Sequence, residues 1–142
     1  VVRILARQIF ITEKDRERLQ RLINEAKEFH HSGSEAYLKN LEQELSRAKL
    51  IASEKIPHNV VTMNSKVLLK DLDTGEKMVY TLVYPAEANL MEDKISVLAP
   101  VGTAIIGLRE KDAIDWKIPD GLVRLEVEKI LYQPEAAGDF DL

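Results

Sequence analysis

The sequence predicts an α+β protein: a short N-terminal antiparallel coiled-coil hairpin, then an antiparallel β-sheet domain with one short helix. Three observations carry this reading. Apolar residues recur at helical spacing in two segments between residues 12 and 52. A short polar stretch containing Gly33 separates the two segments. From Val60 onward, apolar residues alternate with polar ones between turn signals. The change of texture at Ser53-Glu54-Lys55-Ile56-Pro57 divides the chain into residues 1–54 and 55–142.

The first helix starts at Thr12-Glu13-Lys14-Asp15, where Thr12 is placed to cap the N3 amide and Asp15 suits the positive end of the helix dipole. Leu19, Leu22, Ala26 and Phe29 form its seam at spacings of three, four and three. Arg16, Arg18 and Arg21, interleaved with Glu13 and Glu17, read as a solvated face, with Glu17 and Arg21 paired at i,i+4. The pattern breaks at His30-His31-Ser32-Gly33-Ser34, and a second helix runs from Glu35 with Leu38, Leu41, Leu45, Ala48 and Ala52 as its seam. Two such stripes joined by a short loop must fold against each other. Narrow seams leave the hairpin marginal by itself, so it needs docking at its base, where Ile9, Phe10, Ile11, Leu50 and Ile51 lie.

Strands follow at Val67-Leu68-Leu69, Met78 to Tyr84 and Ile95 to Leu98, the first two joined by a turn at Asp73-Thr74-Gly75. Ile114, Trp116 and Ile118 alternate with polar neighbours, and Pro119-Asp120-Gly121 turns the chain into a strand whose inward set is Val123, Leu125, Val127 and Leu131. Thr103 to Leu108 is too short for a long helix and reads as one or two turns plugging the open face of a curved sheet. The tail from Glu135 to Asp139 reads as loosely ordered or packed as an extended arm. Tyr84 and Trp116 read as core or half-buried sheet residues rather than a ligand cage.

Composition narrows the function classes. Hydrophobic residues make up 45% and charged residues 31%, the balance of a globular chain. No apolar run is long enough to span a membrane. A net charge of −4 argues against a general nucleic-acid binder, and no sequence-specific contact to nucleic acid is expected. With no cysteine there is no disulfide framework or thiolate metal site, which suits a cytoplasmic location. The three histidines, His30, His31 and His58, supply no nucleophilic triad. Adjacent His30 and His31 point in different directions and lack a second ligand cluster, so no metal or other cofactor is expected. Gly102 and Gly107 have the spacing of a phosphate loop, but Leu108-Arg109 stands where Lys and Ser or Thr are required.

A hairpin ahead of Asp73-Thr74-Gly75-Glu76, then Ile95 to Leu98 with Ala99-Pro100-Val101-Gly102-Thr103-Ala104-Ile105-Ile106-Gly107, then Pro119-Asp120-Gly121, resembles the bacterial Gre-factor superfamily of RNA polymerase secondary-channel proteins. Pro57 to Ser65, Thr81 to Pro85 and Tyr132 to Asp139 are most similar to its branch of nucleoside diphosphate kinase regulators. The resemblance implies an FKBP-like second domain. It also implies a monomeric partner of core RNA polymerase docked at the rim of the secondary channel through Ala99, Pro100, Val101, Gly102 and Thr103, a rigid apolar loop. Gre factors help hold a catalytic Mg²⁺ with two acidic residues at the hairpin tip. Here the tip is His30, His31, Ser32, Gly33, Ser34 and Glu35, without an Asp-x-x-Glu arrangement, and the hairpin is shorter. The expectation is therefore a non-catalytic regulator that competes with Gre-type factors. One alternative is an active transcript-cleavage factor, and another is a regulator whose partner is nucleoside diphosphate kinase. Fold alone implies no prolyl isomerase activity.

Overall fold

The computed structural model describes residues 2–3, 9–29, 35–118 and 121–139. Strand β1 (Val2–Arg3) and strand β2 (Phe10–Thr12) precede helix α1 (Glu13–Phe29). Helix α2 (Glu35–Arg47) and strand β3 (Lys49–Ile51) follow. The second part contains β4 (Lys66–Asp71), β5 (Lys77–Val83), β6 (Lys94–Ser96), helix α3 (Pro100–Ile105), β7 (Ala113–Ile118), β8 (Gly121–Tyr132) and the single turn α4 (Pro134–Ala137).

α1 begins as its sequence requires. The Asp15 amide donates to Thr12 Oγ1 at 3.0 Å, satisfying one of the free N–H groups of the first turn. Leu19 and Ile23 are fully buried, whereas Leu22 and Ala26 are only partly so. The seam is thus wider than an a/d stripe, because α1 packs on the sheet domain as well as on α2. In α2, Leu38, Leu41 and Leu45 are buried as expected. The helix stops at Arg47 rather than near residue 52, since the chain turns there into a strand. β3 pairs in parallel with β2, Phe10 opposite Lys49 and Thr12 opposite Ile51. The two helices serve as the long crossover that a parallel pair demands. The apolar base read from the sequence is therefore a two-stranded ladder, with Ile9 and Ile11 buried and Leu50 still 43% exposed.

The larger sheet has the order β1-β7-β8-β4-β5-β6 among the described residues. Its pairs are antiparallel except β5–β6, which is parallel. The β4–β5 turn closes as read: Asp71 Oδ1 accepts from the Asp73 and Thr74 amides, and Gly75 takes φ +79°. β8 departs from simple alternation. Its register with β4 shifts between Lys66 and Val67 and again between Leu68 and Leu69, so Leu131 and Glu128 are extra residues. A bulge flips the face presented by the residues beyond it. Ile130, not Leu131, turns toward the core, and Leu131 is left 45% exposed.

The short helix begins earlier than expected, at Pro100, whose fixed φ suits the first turn. Ala104, Ile105, Ile106 and Leu108 are buried beneath the hairpin and sheet. Gly107 takes φ +79°, and a Cβ there would lie 2.8 Å from Ile9 Cβ. One continuous core joins Leu19, Ile23, Leu41 and Leu45 of the hairpin to Val67, Leu69, Leu82, Ile105 and Val127.

The tail is not a loose arm. α4 ends at Gly138 in the left-handed region, and Gln133 is buried with its amide donating to Pro57 O at 2.8 Å and Val60 O at 2.7 Å. Those bonds pin the chain end under the segment that leaves the hairpin. Tyr132 and Asp139 also hydrogen-bond through their side chains.

Candidate functional site

The sequence-predicted docking residues form a helix start, not a loop. Ala99 is the N-cap of α3, and the Thr103 amide donates to Ala99 O at 2.9 Å. Gly102 is buried, and a Cβ there would stand 2.2 Å from Ser96 O, a backbone atom that cannot yield. Thr103 is buried as well, its Oγ1 donating to Val97 O at 2.6 Å. Gly102 and Thr103 therefore shape the turn from inside, while Ala99 and Val101 are half-buried and reach the surface. Pro100 opens the helix; its side chain, like those of Trp116 and Glu35, lies outside the described set. Of the hairpin tip, Glu35 opens α2, and His30, His31, Ser32, Gly33 and Ser34 lie outside the described residues.

The structure brings together a second group that sequence reasoning did not assemble. Asp15 is 1% exposed, although it reads as a surface partner of the helix dipole. Its Oδ2 accepts from the Met63 amide at 3.1 Å, tying α1 to the chain that leads into β4. Its Oδ1 accepts from the Arg18 guanidinium at 2.5 Å. Arg18 thus leaves the solvated stripe and lies over the Tyr84 ring, 5.0 Å from its centroid. Thr62 Oγ1 donates to Glu135 Oε1 at 2.6 Å on the same side, and Thr62 also meets Ser65 Oγ at 2.9 Å. The exposed Glu13 and the solvent-facing Glu17–Arg21 pair match the stripe as read, the pair at 3.5 Å with both side chains exposed.

Burial dominates the electrostatics of this group. Desolvation raises the Asp15 carboxyl above its ordinary value, against the pull of the Arg18, Met63 and Thr12 hydrogen bonds. Desolvation likewise raises Glu135, with the Thr62 hydroxyl opposing it. Tyr84 is pushed up first by burial and then by the nearby Asp15 charge. Two buried polar atoms here lack a hydrogen-bond partner, Arg18 Nε and Tyr84 Oη. An open groove of about 250 Å³ runs alongside, lined by Arg18, Arg21, Leu22, Glu25 and Tyr84. The arrangement is a fastening between hairpin and sheet with a shallow basic-aromatic flank. Among the described residues there is no group of three His, Asp or Glu able to hold a metal ion, and no helix is long and apolar enough to cross a membrane.

A signal for this cluster was present but ambiguous. Asp at the third position after a Thr cap serves either a dipole or a tertiary contact, and only the packing of Met63 against it distinguishes the two.

Two family descriptions match the chain along its length. "Transcription elongation factor, GreA/GreB, C-term" covers residues 56–132, and "Rnk N-terminus" covers residues 7–51. A protein named regulator of nucleoside diphosphate kinase, from Escherichia coli strain K12, is 50% identical over 101 residues, which span 70% of this chain and 74% of that protein. The chain belongs to the Rnk branch of the GreA/GreB family. More distant members agree. Transcription elongation factor GreA of Clostridioides difficile strain 630 is 38% identical over 107 residues, 75% of this chain and 67% of that one. Among solved structures, a prokaryotic transcription elongation factor GreA/GreB from Nitrosomonas europaea superposes with a TM-score of 0.72 at 38% identity, covering 88% of this chain and 100% of that chain. The GreA/GreB match runs from Ile56 through β8, and the Rnk match from β2's approach through β3.

Proposed function

We propose that this chain is a non-catalytic transcription regulator that binds core RNA polymerase as a monomer, near the secondary channel, and competes there with Gre-type factors. One observation carries the reading: a Gre-family fold bears a short arm whose tip sequence, His30 to Glu35, holds Glu35 as its single carboxylate and no Asp-x-x-Glu arrangement. The arm is 17 residues up and 13 back, about 25 Å at its longer side. Its base is fastened by the β2–β3 ladder and by Asp15 on the Met63 amide, so it projects as a fixed plug. The surface at Ala99 and Val101 is the docking element, with Gly102 and Thr103 holding its shape. The name of the Escherichia coli relative extends the proposal to a regulatory output on nucleoside diphosphate kinase.

Titration of core polymerase carrying a labelled Gre factor tests this. Displacement of the Gre factor, without shortening of the transcript in backtracked complexes, is the expected result. No displacement at tens of micromolar would overturn the reading, and transcript shortening would make the chain a cleavage factor instead.

A further inference from the structure

The connection between β5 and β6 holds two large apolar side chains out in water. Leu90 is 79% exposed and Met91 95%. Among the described residues, the other exposed large apolar side chains, Leu50, Leu72 and Leu131, reach only 43%, 42% and 45%. Single exposed apolar residues need no explanation, but two adjacent ones at the apex of a fixed turn do.

The turn is fixed by its own bonds. Asn89 Oδ1 accepts from the Met91 amide at 3.0 Å and caps the 3₁₀ turn Leu90–Glu92. Asn89 and Lys94 exchange two backbone hydrogen bonds, each 2.9 Å, closing the base. Asp93 takes φ 57°, and its carbonyl accepts from the Thr81 amide at 2.9 Å, which ties the turn to β5. An apolar tip held this way loses little backbone freedom on binding, which favours its use as an anchor.

The surroundings specify the partner's chemistry. Glu87, Glu92 and Asp93 are exposed around the tip, and residues 85–93 contain no Lys or Arg. Lys94 follows and pairs with Glu92 at 3.2 Å, both exposed. The complementary surface is an apolar pocket rimmed by Lys or Arg. Position adds a second argument. β6 is an edge strand of three residues, about 10 Å long, with this turn at one end and the Ala99–Val101 turn at the other. Both fit inside one interface footprint.

We propose that Leu90 and Met91 anchor the chain in a Lys/Arg-rimmed apolar pocket of RNA polymerase, beside the contact made by Ala99 and Val101. This rests on the polymerase-binding reading. The test compares full-length wild type, the double variant Leu90→Ser/Met91→Ser and the single variant Glu87→Lys for binding to core polymerase, with urea unfolding of each. Because these side chains are exposed, unfolding midpoints should not move. The double variant should bind at least roughly tenfold more weakly, and Glu87→Lys should weaken binding and flatten its salt dependence. If wild type binds and the double variant binds equally well, the anchor is wrong while the polymerase reading stands. If wild type does not bind, both fall. Self-association of wild type that the double variant abolishes, seen by sedimentation, would also overturn the proposal, in favour of a second copy as the occupant.

Discussion

Replacing Asp15 with alanine should undo a fastening at the hairpin base. The carboxylate bridges two elements: Oδ2 accepts from the Met63 amide at 3.1 Å and Oδ1 from Arg18 at 2.5 Å. Alanine strands the Met63 N–H in a buried position, a loss of about 1.5–3 kcal/mol for a bond to a charged acceptor. Arg18 loses its counter-charge too, but its side chain is 26% exposed, so water recovers part of that loss. Removing a desolvated carboxylate returns something, since burial already holds Asp15 above its ordinary value. The net expectation is a loss of about 2–3 kcal/mol, below the ~3–5 kcal/mol of breaking a fully buried pair. The double variant Asp15→Ala/Arg18→Met should be less destabilised than the sum of its single changes by about 1 kcal/mol, because no charge is left stranded. Urea unfolding of the four proteins measures this, and amide exchange at Met63 reports whether the fastening itself has opened. A loss under about 1 kcal/mol for Asp15→Ala, or strict additivity, would refute the fastening argument.

Two further outcomes rest on the same geometry. Gly107→Ala should cost about 2–4 kcal/mol, combining a φ of +79° with a Cβ placed 2.8 Å from Ile9 Cβ, whereas Gly75→Ala, at the same φ but with nothing within 4 Å, should cost about 1 kcal/mol. Equal losses in thermal unfolding would show that space at Gly107 is not what matters. Glu135 should make stability depend on pH. Its carboxyl is raised above 4.5 when folded, so the stabilisation from holding its proton is fully present below the ordinary value and lost as pH rises through the folded one. Glu135→Gln, which keeps an acceptor for the Thr62 hydroxyl, should therefore gain on wild type across that rise. A urea midpoint difference that stays flat or shrinks would contradict this.

Much of the fold was legible because its signals are local. Thr12 as a cap, Asp73-Thr74-Gly75 as a turn and the alternation of Ala113 with Ile114 and of Arg124 through Val127 depend on residues within a few positions of one another. The errors share a different cause. Leu131 looks inward on a strict period of two, and only the partner strand reveals that β8 carries extra residues against β4. The second helix looks longer than it is because Ala48 and Ala52 continue its period, while the competing claim on Lys49 to Ile51 comes from Phe10 to Thr12, almost forty residues away. Glu135 looks like the start of a polar tail until Thr62 is placed beside it, and the burial of Gln133 follows only once Pro57 and Val60 are in place.

By itself, then, the sequence determined the class of the two hairpin helices and of the strands from β4 to β8, the order of hairpin and sheet, and the family, because periodicity, caps and turn residues are written in short stretches. The tertiary structure decided which polar residues are structural and which are free to meet a partner. Asp15 and Arg18 share one helical face pattern with solvated residues, yet lie against Met63 and Tyr84. Gly102 and Thr103 sit in an apparent loop, yet support it from beneath. Leu90 and Met91 resemble core residues by type, yet stand in water. Burial is a property of the assembled chain, and no local pattern carries it.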